Sequence, residues 1–382
     1  MAENSLVVIG AGLAGLATGC YGQMNNYKTK IFEMQAKPGG VCVSWKRKGY
    51  IFDYTIHNLF GMISSSADNK VWSELGALKS LQPFNFNEFV QIEDIDGKAF
   101  AVYTDLDKLE QHMKNLSPKD VKKVNEFVRT CKKFSRYDIF AALSGDFRSM
   151  IGLLPILRSI TKYSKISVND FAKDFNDAFL KKAFPTIEYD ISGVPTLIPM
   201  LFLSAFSKGD GGWPIGGSMA LSKNIEKRYL DLGGEIAYQS KVVKILVEND
   251  KAVGVQLDDG SKHFANIIVS AADGYSTIFN MLDGKYVNDT IQAYYNSYPK
   301  TISFGFSVWY GVNQDLSREP HSLVLFQEEP IIFEDRKYDR LSVEIFNFDP
   351  TLAPPGKTVV KVVFESNYDY WKNLLKESHQ KY

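Results

Sequence analysis

Residues 5–15 read Ser-Leu-Val-Val-Ile-Gly-Ala-Gly-Leu-Ala-Gly. The run 5–9 is short, apolar and β-branched, the pattern of a strand buried on both faces. It passes straight into Gly10-Ala11-Gly12-Leu13-Ala14-Gly15, after which Leu13, Leu16 and Cys20 or Tyr21 recur at helical spacing. A second strand over 28–34 carries an acid, Glu33, eighteen residues past Gly15. Strand, G-x-G-x-x-G, helix, strand and acid in this order predict a dinucleotide-binding unit spanning Gly10, Ala11, Gly12, Leu13, Ala14, Gly15 and Glu33. Gly10 permits the tight turn, Gly12 lacks a Cβ that would collide with a pyrophosphate, and Gly15 lets the helix pack close to the sheet. The helix N-terminus offers N–H groups and a partial positive charge to the diphosphate. Glu33 is placed to accept hydrogen bonds from ribose hydroxyls. A glycine-rich turn with an incidental surface acid leaves the coincidence of all these parts unexplained.

The next residues choose the cofactor. Lys37-Pro38-Gly39-Gly40 follows the acid, then Val41, Ser44-Trp45 and Gly49-Tyr50-Ile51-Phe52-Asp53. A second glycine pair lets another backbone segment approach the same diphosphate from the far side. That suits a long flavin dinucleotide, FAD, buried along its length; a simple nicotinamide site has no need of it.

Together, VVIGAGLAGLATG, IFEMQAKPGG and SWKRKGYIFDYTIHNLFG resemble the phytoene-desaturase-like branch of FAD-dependent oxidoreductases, which includes retinol-saturase-like and carotenoid-isomerase-like enzymes. Further matching motifs lie at 212–218 (GWPIGGS), 232–236, 240–245, 252–255 and 269–273, so the resemblance spans essentially the whole chain. It implies an α/β fold: a Rossmann-like FAD-binding domain with a second, α+β substrate domain built on an antiparallel sheet. The implied boundaries are 1–65 and 215–285 for the flavin domain, and 66–214 and 286–382 for the substrate domain. It also implies that Gly39, Gly40, Val41, Thr55, Ile56, His57 and Val242 contact the cofactor, Val242 through its backbone at the adenine. Two departures stand out. Val41 replaces the family's usual basic residue. The chain also has no glycine after Gly356, where the family closes the flavin site with a C-terminal Gly-Asp strand-to-helix segment. A fragment, or one half of a split protein whose other half is supplied in trans, is therefore expected.

Working outward, 382 residues with 45% hydrophobic side chains are enough for two or three domain-sized units. With 44 basic and 44 acidic residues, no global field favours nucleic acid. Cys20, Cys42 and Cys131 form no disulfide framework, and no metal-ligand spacing occurs. The acidic N-terminus is unlike a signal peptide and no run reaches a bilayer span, so a cytoplasmic protein is expected. Helices are predicted over 71–78, 106–116, from Ser117-Pro118 through Cys131, and over 218–232; strands over 89–95, 99–103, 241–247, 252–257, 262–270 and, from Thr301 onward, 302–308, 323–326, 341–346 and 358–364. The apolar runs 151–160 and 194–206 read as buried helices or as the mouth of a lipophilic tunnel. If exposed, 150–163 with Arg158 and Lys162 would rest on a membrane surface.

No triad, carboxylate pair or metal cluster is visible, so the chemistry falls to the flavin. His57 is the candidate catalytic residue, since imidazole is the side chain suited to proton transfer near pH 7; the competing role is a structural or backbone contact. Asp53 is expected to satisfy local N–H groups. The leading expectation is hydride transfer between flavin N5 and a lipophilic, isoprenoid or carotenoid-like small molecule. The alternatives are an amine-oxidase-like flavoenzyme, and a flavin-free lipid or prenyl carrier or inactive fragment on the same fold.

Overall fold

The computed structural model describes residues 4–64, 66–139, 151–187, 193–297, 303–334 and 336–379. Strand β1 (Ser5–Ile9) is buried along all but its first residue, as its unbroken apolar run requires. It pairs in parallel with β2 (Lys28–Phe32) on one side and with Ile267–Ser270 on the other. Glu235–Ala237 adds a fourth parallel strand beyond β2. Helix α1 (Leu13–Met24) makes the crossover between β1 and β2 and packs against a second helix, Gly217–Asp231. Gly15 shows why its position excludes a side chain: a Cβ there would stand 1.9 Å from the Gly10 carbonyl oxygen. This is the Rossmann-like unit expected from residues 5–33.

The expected three-strand meander resolves differently. Val242–Glu248, Lys251–Leu257 and Lys262–Phe264 form a small antiparallel sheet, turning at Asn249-Asp250 and Gly260. The tail of the last predicted strand, Ile267–Ser270, separates and joins the parallel sheet instead. Asn266 marks the break: its side chain accepts the Ser5 N–H, fastening the new strand beside β1.

The second layer is a six-stranded sheet in the order Ser303–Val312, Thr358–Asn367, Arg336–Ile345, Ser322–Phe333, Glu88–Glu93, Ala99–Tyr103. It is antiparallel except where Ser322–Phe333 lies parallel to Glu88–Glu93. Those two strands are far apart in sequence, so no hairpin dictates their direction. Ile302, part of the predicted 302–308 strand, lies outside the described residues.

Helices Leu106–Leu116, Val121–Phe134 and Leu197–Phe206 cover one side of this sheet. The stripe Val124, Phe127, Val128, Cys131 and Phe134 is buried, so Cys131 is a core residue. Asp120 does not cap the helix that follows it. Its buried carboxylate accepts N–H groups of Asn176 and Asp177 at 2.7 and 2.9 Å. Burial alone would raise its pKa, but Ser117, Asn176 and Asp177 outweigh that and lower it. The first predicted helix is displaced to Ala67–Glu74, because Ser66 accepts the Asn69 N–H and caps it there.

One expected core segment is not core. Ile151, Leu154 and Leu157 are 52%, 65% and 51% exposed, whereas Ile156 and Tyr163 are buried and Leu153 and Ile160 pack half-buried against the core. Pro155 holds Leu154–Ile156 in a short 3-10 turn that lays the chain over the surface. Met150 lies outside the described residues.

The two layers are bound by two buried carboxylates. Asp53 accepts the Ser218 N–H and the Ser218 hydroxyl, both at 2.6 Å, at the start of helix Gly217–Asp231. Asp349, in the connection between Arg336–Ile345 and Thr358–Asn367, accepts the Trp213 indole N–H and the Gly216 N–H, both at 2.8 Å. Asp349 thereby ties the GWPIGGS motif to the sheet. Burial lifts the Asp53 carboxyl to about 6, against donors from Ser218, Ile56 and Thr55 that pull it down.

Asp53→Ala should cost about 2–4 kcal/mol in urea denaturation, because it strands two buried donors. The raised carboxyl makes the native state bind a proton more readily than the unfolded chain. Its contribution therefore falls as pH rises from 3.8 to about 6. Asp53→Asn should flatten stability over that window, and an unchanged slope would refute the assignment.

Candidate functional site

The two glycine turns meet at the N-terminus of α1. The Gly39 N–H donates to the Ala11 carbonyl at 2.8 Å, and Gly12 and Gly39 bridge in parallel. Gly40 sits at φ +62, where a Cβ would stand 3.1 Å from the Gly12 Cα. A Cβ on Gly12 would meet only the Gly40 Cα, at 3.9 Å. The space between the turns is therefore a bare backbone cradle that side chains would fill. Gly12 and Leu13 are half-exposed and Ala14 is exposed, so the first turn of α1 faces outward. Its N–H groups have no partner within the helix, and they carry the positive end of its dipole.

Glu33 lies beneath this cradle, 5% exposed. Its Oε2 accepts the Ala11 N–H at 2.6 Å and its Oε1 accepts the Gln35 N–H at 2.7 Å. The acid thus fastens the first turn as well as facing it, and one further lone pair on each oxygen is what a ribose hydroxyl would use. Val242 is buried against Val7, Ile9 and Phe32 at the neighbouring strand. Val41 projects its side chain outward, 73% exposed, while its carbonyl accepts the Thr55 hydroxyl. Ile56 follows, its N–H donating to the Ser218 hydroxyl at 3.3 Å. The backbone at 53–57 is thus strung between the second glycine turn and helix Gly217–Asp231. These residues fit a dinucleotide: the cradle is free of side chains and lies at a 12-residue helix N-terminus.

His57 faces the other way, toward the large sheet. Its Nδ1 lies 3.4 Å from Oε1 of Glu344, which also receives the Lys361 ammonium at 3.0 Å. Glu344 and Lys361 are cross-strand neighbours in the sheet, and Lys361 is opposite Trp309 on the next strand. Lys361 is 4% exposed along its side chain, with its ammonium 5.4 Å from the Trp309 ring. Burial would push the Glu344 carboxyl up, but Lys361 and His57 overcome this and hold it at about 2. Beside them His321 stacks on Phe86 at 4.1 Å. Burial brings its imidazole down to about 4, only partly offset by Glu344, so it stays neutral. A cavity of about 30 Å3 remains, walled by His57, Ile56, Phe86, Trp213, Glu344 and Phe348, among others.

The structure therefore gathers Gly10 to Gly15, Glu33, Gly39 to Val41, Thr55 and Ile56 around one cradle, with Val242 on the separate three-stranded sheet packed against β1 and β2. His57 turns to a separate polar cluster. Sequence inspection passed over Glu344, Lys361 and His321. The available signal was a charged residue inside each of two strands whose neighbours are apolar, Val343-Glu344-Ile345 and Val360-Lys361-Val362.

The fold around the cradle is a Rossmann-like unit, and residues 8–75 match the family model of an NAD(P)-binding Rossmann-like domain. Over 99% of its length the chain is 23% identical to a chloroplastic prolycopene isomerase of Daucus carota. Over 92% it is 26% identical to a lycopene-forming phytoene desaturase of Pseudescherichia vulneris, covering 74% of that protein. These similarities bear out the resemblance to phytoene-desaturase-like FAD oxidoreductases. The chain spans 64% of the Daucus carota protein's length. Among solved structures, an oxidoreductase from Methanosarcina mazei shares the fold, with a TM-score of 0.64 at 20% identity, covering 98% of this chain and 82% of that one.

Removing one member of the buried pair should be more damaging than removing both. Lys361→Met is expected to cost about 3–5 kcal/mol in urea denaturation at pH 7, and adding Glu344→Gln should recover most of it. The depressed Glu344 carboxyl stabilises the fold above pH 4.5, and this is lost as pH falls toward about 2. In Lys361→Met the carboxyl loses the ammonium that holds it down, so the stability gap between variant and parent should narrow as pH falls from 4.5 toward about 2.

Proposed function

We propose that this chain binds FAD and serves an oxidoreductase acting on a lipophilic, isoprenoid or carotenoid-like substrate by desaturation, saturation or isomerisation. The observation that supports it is the side-chain-free contact between Gly12 and Gly40 at the start of α1. FAD, when bound, supplies a hydride acceptor or donor. The protein's part is to hold and to exclude water. Gly12, Gly39 and Gly40 admit the diphosphate, the α1 N–H groups neutralise it, and Glu33 meets the ribose. Thr55 and Ile56 present backbone toward the ring system. Phe86, Phe89, Trp213, Phe346 and Phe348 make a dry wall beside it. Since the cavity between them is only about 30 Å3, an extended polyene enters by turning these rings aside.

The same reading accounts for the exposed segment 151–165. Leu154 and Leu157 lie with Arg158, Lys162 and Lys165 on one surface, Ile151 is exposed as well, and no acidic residue occurs between 147 and 169. Lys162 also pairs with Glu126 at 2.7 Å. Among the described residues no helix is long and apolar enough to cross a membrane. A peripheral contact with anionic lipid, the store of such substrates, follows from this chemistry.

The visible spectrum of the desalted protein, before and after incubation with FAD, is the direct test. Retained flavin absorbance is expected, and a colourless protein that FAD cannot restore would leave a flavin-free carrier. Gly12 has φ −66, so Gly12→Val should keep the fold by circular dichroism yet lose the flavin. Co-sedimentation should show binding to vesicles containing phosphatidylglycerol, weakened about tenfold or more by Leu154→Glu with Leu157→Glu. Equal binding to neutral vesicles would sink the membrane contact.

A further inference from the structure

The geometry points to a hydroxyl-binding subsite in the cavity beside Trp213, formed by Glu344 Oε2 and the His321 imidazole, which makes the lipophilic substrate an alcohol. The inference deepens the proposed function and rests on its reading of this aromatic-walled cavity as part of the substrate chamber.

A wall for a plain hydrocarbon has no use for a carboxylate, because two apolar residues would serve the sheet as well as a buried ion pair. Glu344 nevertheless lines the cavity with the 19% of its side chain that packing leaves accessible. The protein uses one of its two oxygens. Oε1 receives the Lys361 ammonium at 3.0 Å and lies 3.4 Å from His57 Nδ1. Oε2 has no hydrogen-bonding partner among the described residues. His321 is the second group of this kind. Its ring stacks on Phe86 at 4.1 Å and stands edge-on to Phe348 at 5.8 Å. Its backbone carbonyl accepts the Ile345 N–H, but its ring nitrogens have no hydrogen-bonding partner among the described residues. Ser322, opposite Glu344 in the strand ladder, adds a hydroxyl to the same lining. Two polar groups set this deep call for a partner that the chain does not supply.

The chemistry of the two groups selects that partner. Lys361 keeps Glu344 ionised, so Oε2 can only accept and its ligand must bring a hydrogen. A ketone, an ether and an ester bring none, and a carboxylate would meet a like charge. An ammonium brings hydrogens, but Lys361 already neutralises Glu344, so the added charge would lie buried without compensation. A neutral hydroxyl fits. His321 stays neutral, with one donor and one acceptor nitrogen, and donates to the oxygen of the hydroxyl whose hydrogen goes to Oε2. The volume agrees, since a cavity of about 30 Å3 is room for roughly two waters or one hydroxymethyl terminus. The remainder of an isoprenoid chain then lies along Phe86, Phe346 and Phe348, which make the rest of the lining apolar. A hydrocarbon end in the same place would leave both polar groups unpaired, so the site discriminates by what the wrong ligand fails to satisfy.

Trp213 lines the cavity, so tryptophan fluorescence of the purified protein reports its filling. Farnesol is titrated beside its methyl ether, which keeps the oxygen and loses the hydrogen, and beside its deoxy hydrocarbon. Farnesol should bind about 10- to 100-fold more tightly than either, the range of a hydrogen bond to a charged acceptor. His321→Phe should lower that preference several-fold. Glu344→Leu with Lys361→Met, which removes the buried ion pair, should abolish the preference while the hydrocarbon still binds, with circular dichroism showing that the variants fold. Equal binding of all three ligands to the parent overturns the subsite, leaves water as its only occupant and keeps the chamber. A preference for farnesol that survives the double substitution overturns the assignment to Glu344. If none of the three binds the parent, the chamber itself is refuted and the subsite falls with it.

Discussion

The Asp53 carboxylate is the junction on which the rest depends. It lies at the end of one short strand, Tyr50–Asp53, and closes the start of a helix more than 160 residues away in sequence through Ser218. Without it, residues 54–57 would have no fixed path between the second glycine turn and the large sheet. With it, Thr55 is held to the Val41 carbonyl, Ile56 to Ser218, and His57 reaches Glu344. The group does this while buried, which lifts its pKa to about 6. That is a destabilising feature retained where two parts of the chain must be held together.

Around this junction the molecule uses opposite electrostatic devices on its two faces. At α1 a bare backbone offers N–H groups and a helix dipole, a field suited to a spread anionic diphosphate. At the large sheet a compact carboxylate–ammonium pair is set among aromatic rings, where the low dielectric strengthens each contact. The first can bind without side chains. The second is local and directional.

Surface and core also divide in a way composition does not foretell. Residues 151–160 and 197–206 are both strongly apolar. The second is a helix buried against Val121–Phe134, with Ser204 donating its hydroxyl to the Cys131 carbonyl at 2.9 Å. The first lies open, since Pro155 interrupts it and Arg158, Lys162 and Lys165 keep its outer side solvated.

The glycine spacing, the β-branched run of β1 and the alternation of the late strands were sufficient to determine the Rossmann-like unit and the late strands of the second layer. Each is a local rule: a missing Cβ, a period of two, a cap three residues ahead. The elements that escaped are those decided by distant partners. Asp120 gathers the N–H groups of Asn176 and Asp177 from a distant turn, Ile267–Ser270 leaves its meander for β1, and Glu33 turns under its own glycine loop. The Glu344–Lys361–His57 cluster belongs to the same class, because residues 57, 344 and 361 become neighbours only when strand register and the Asp53 junction set them there. Local sequence specifies what each segment can form; which charges end up sharing one buried oxygen is a property of the packed whole.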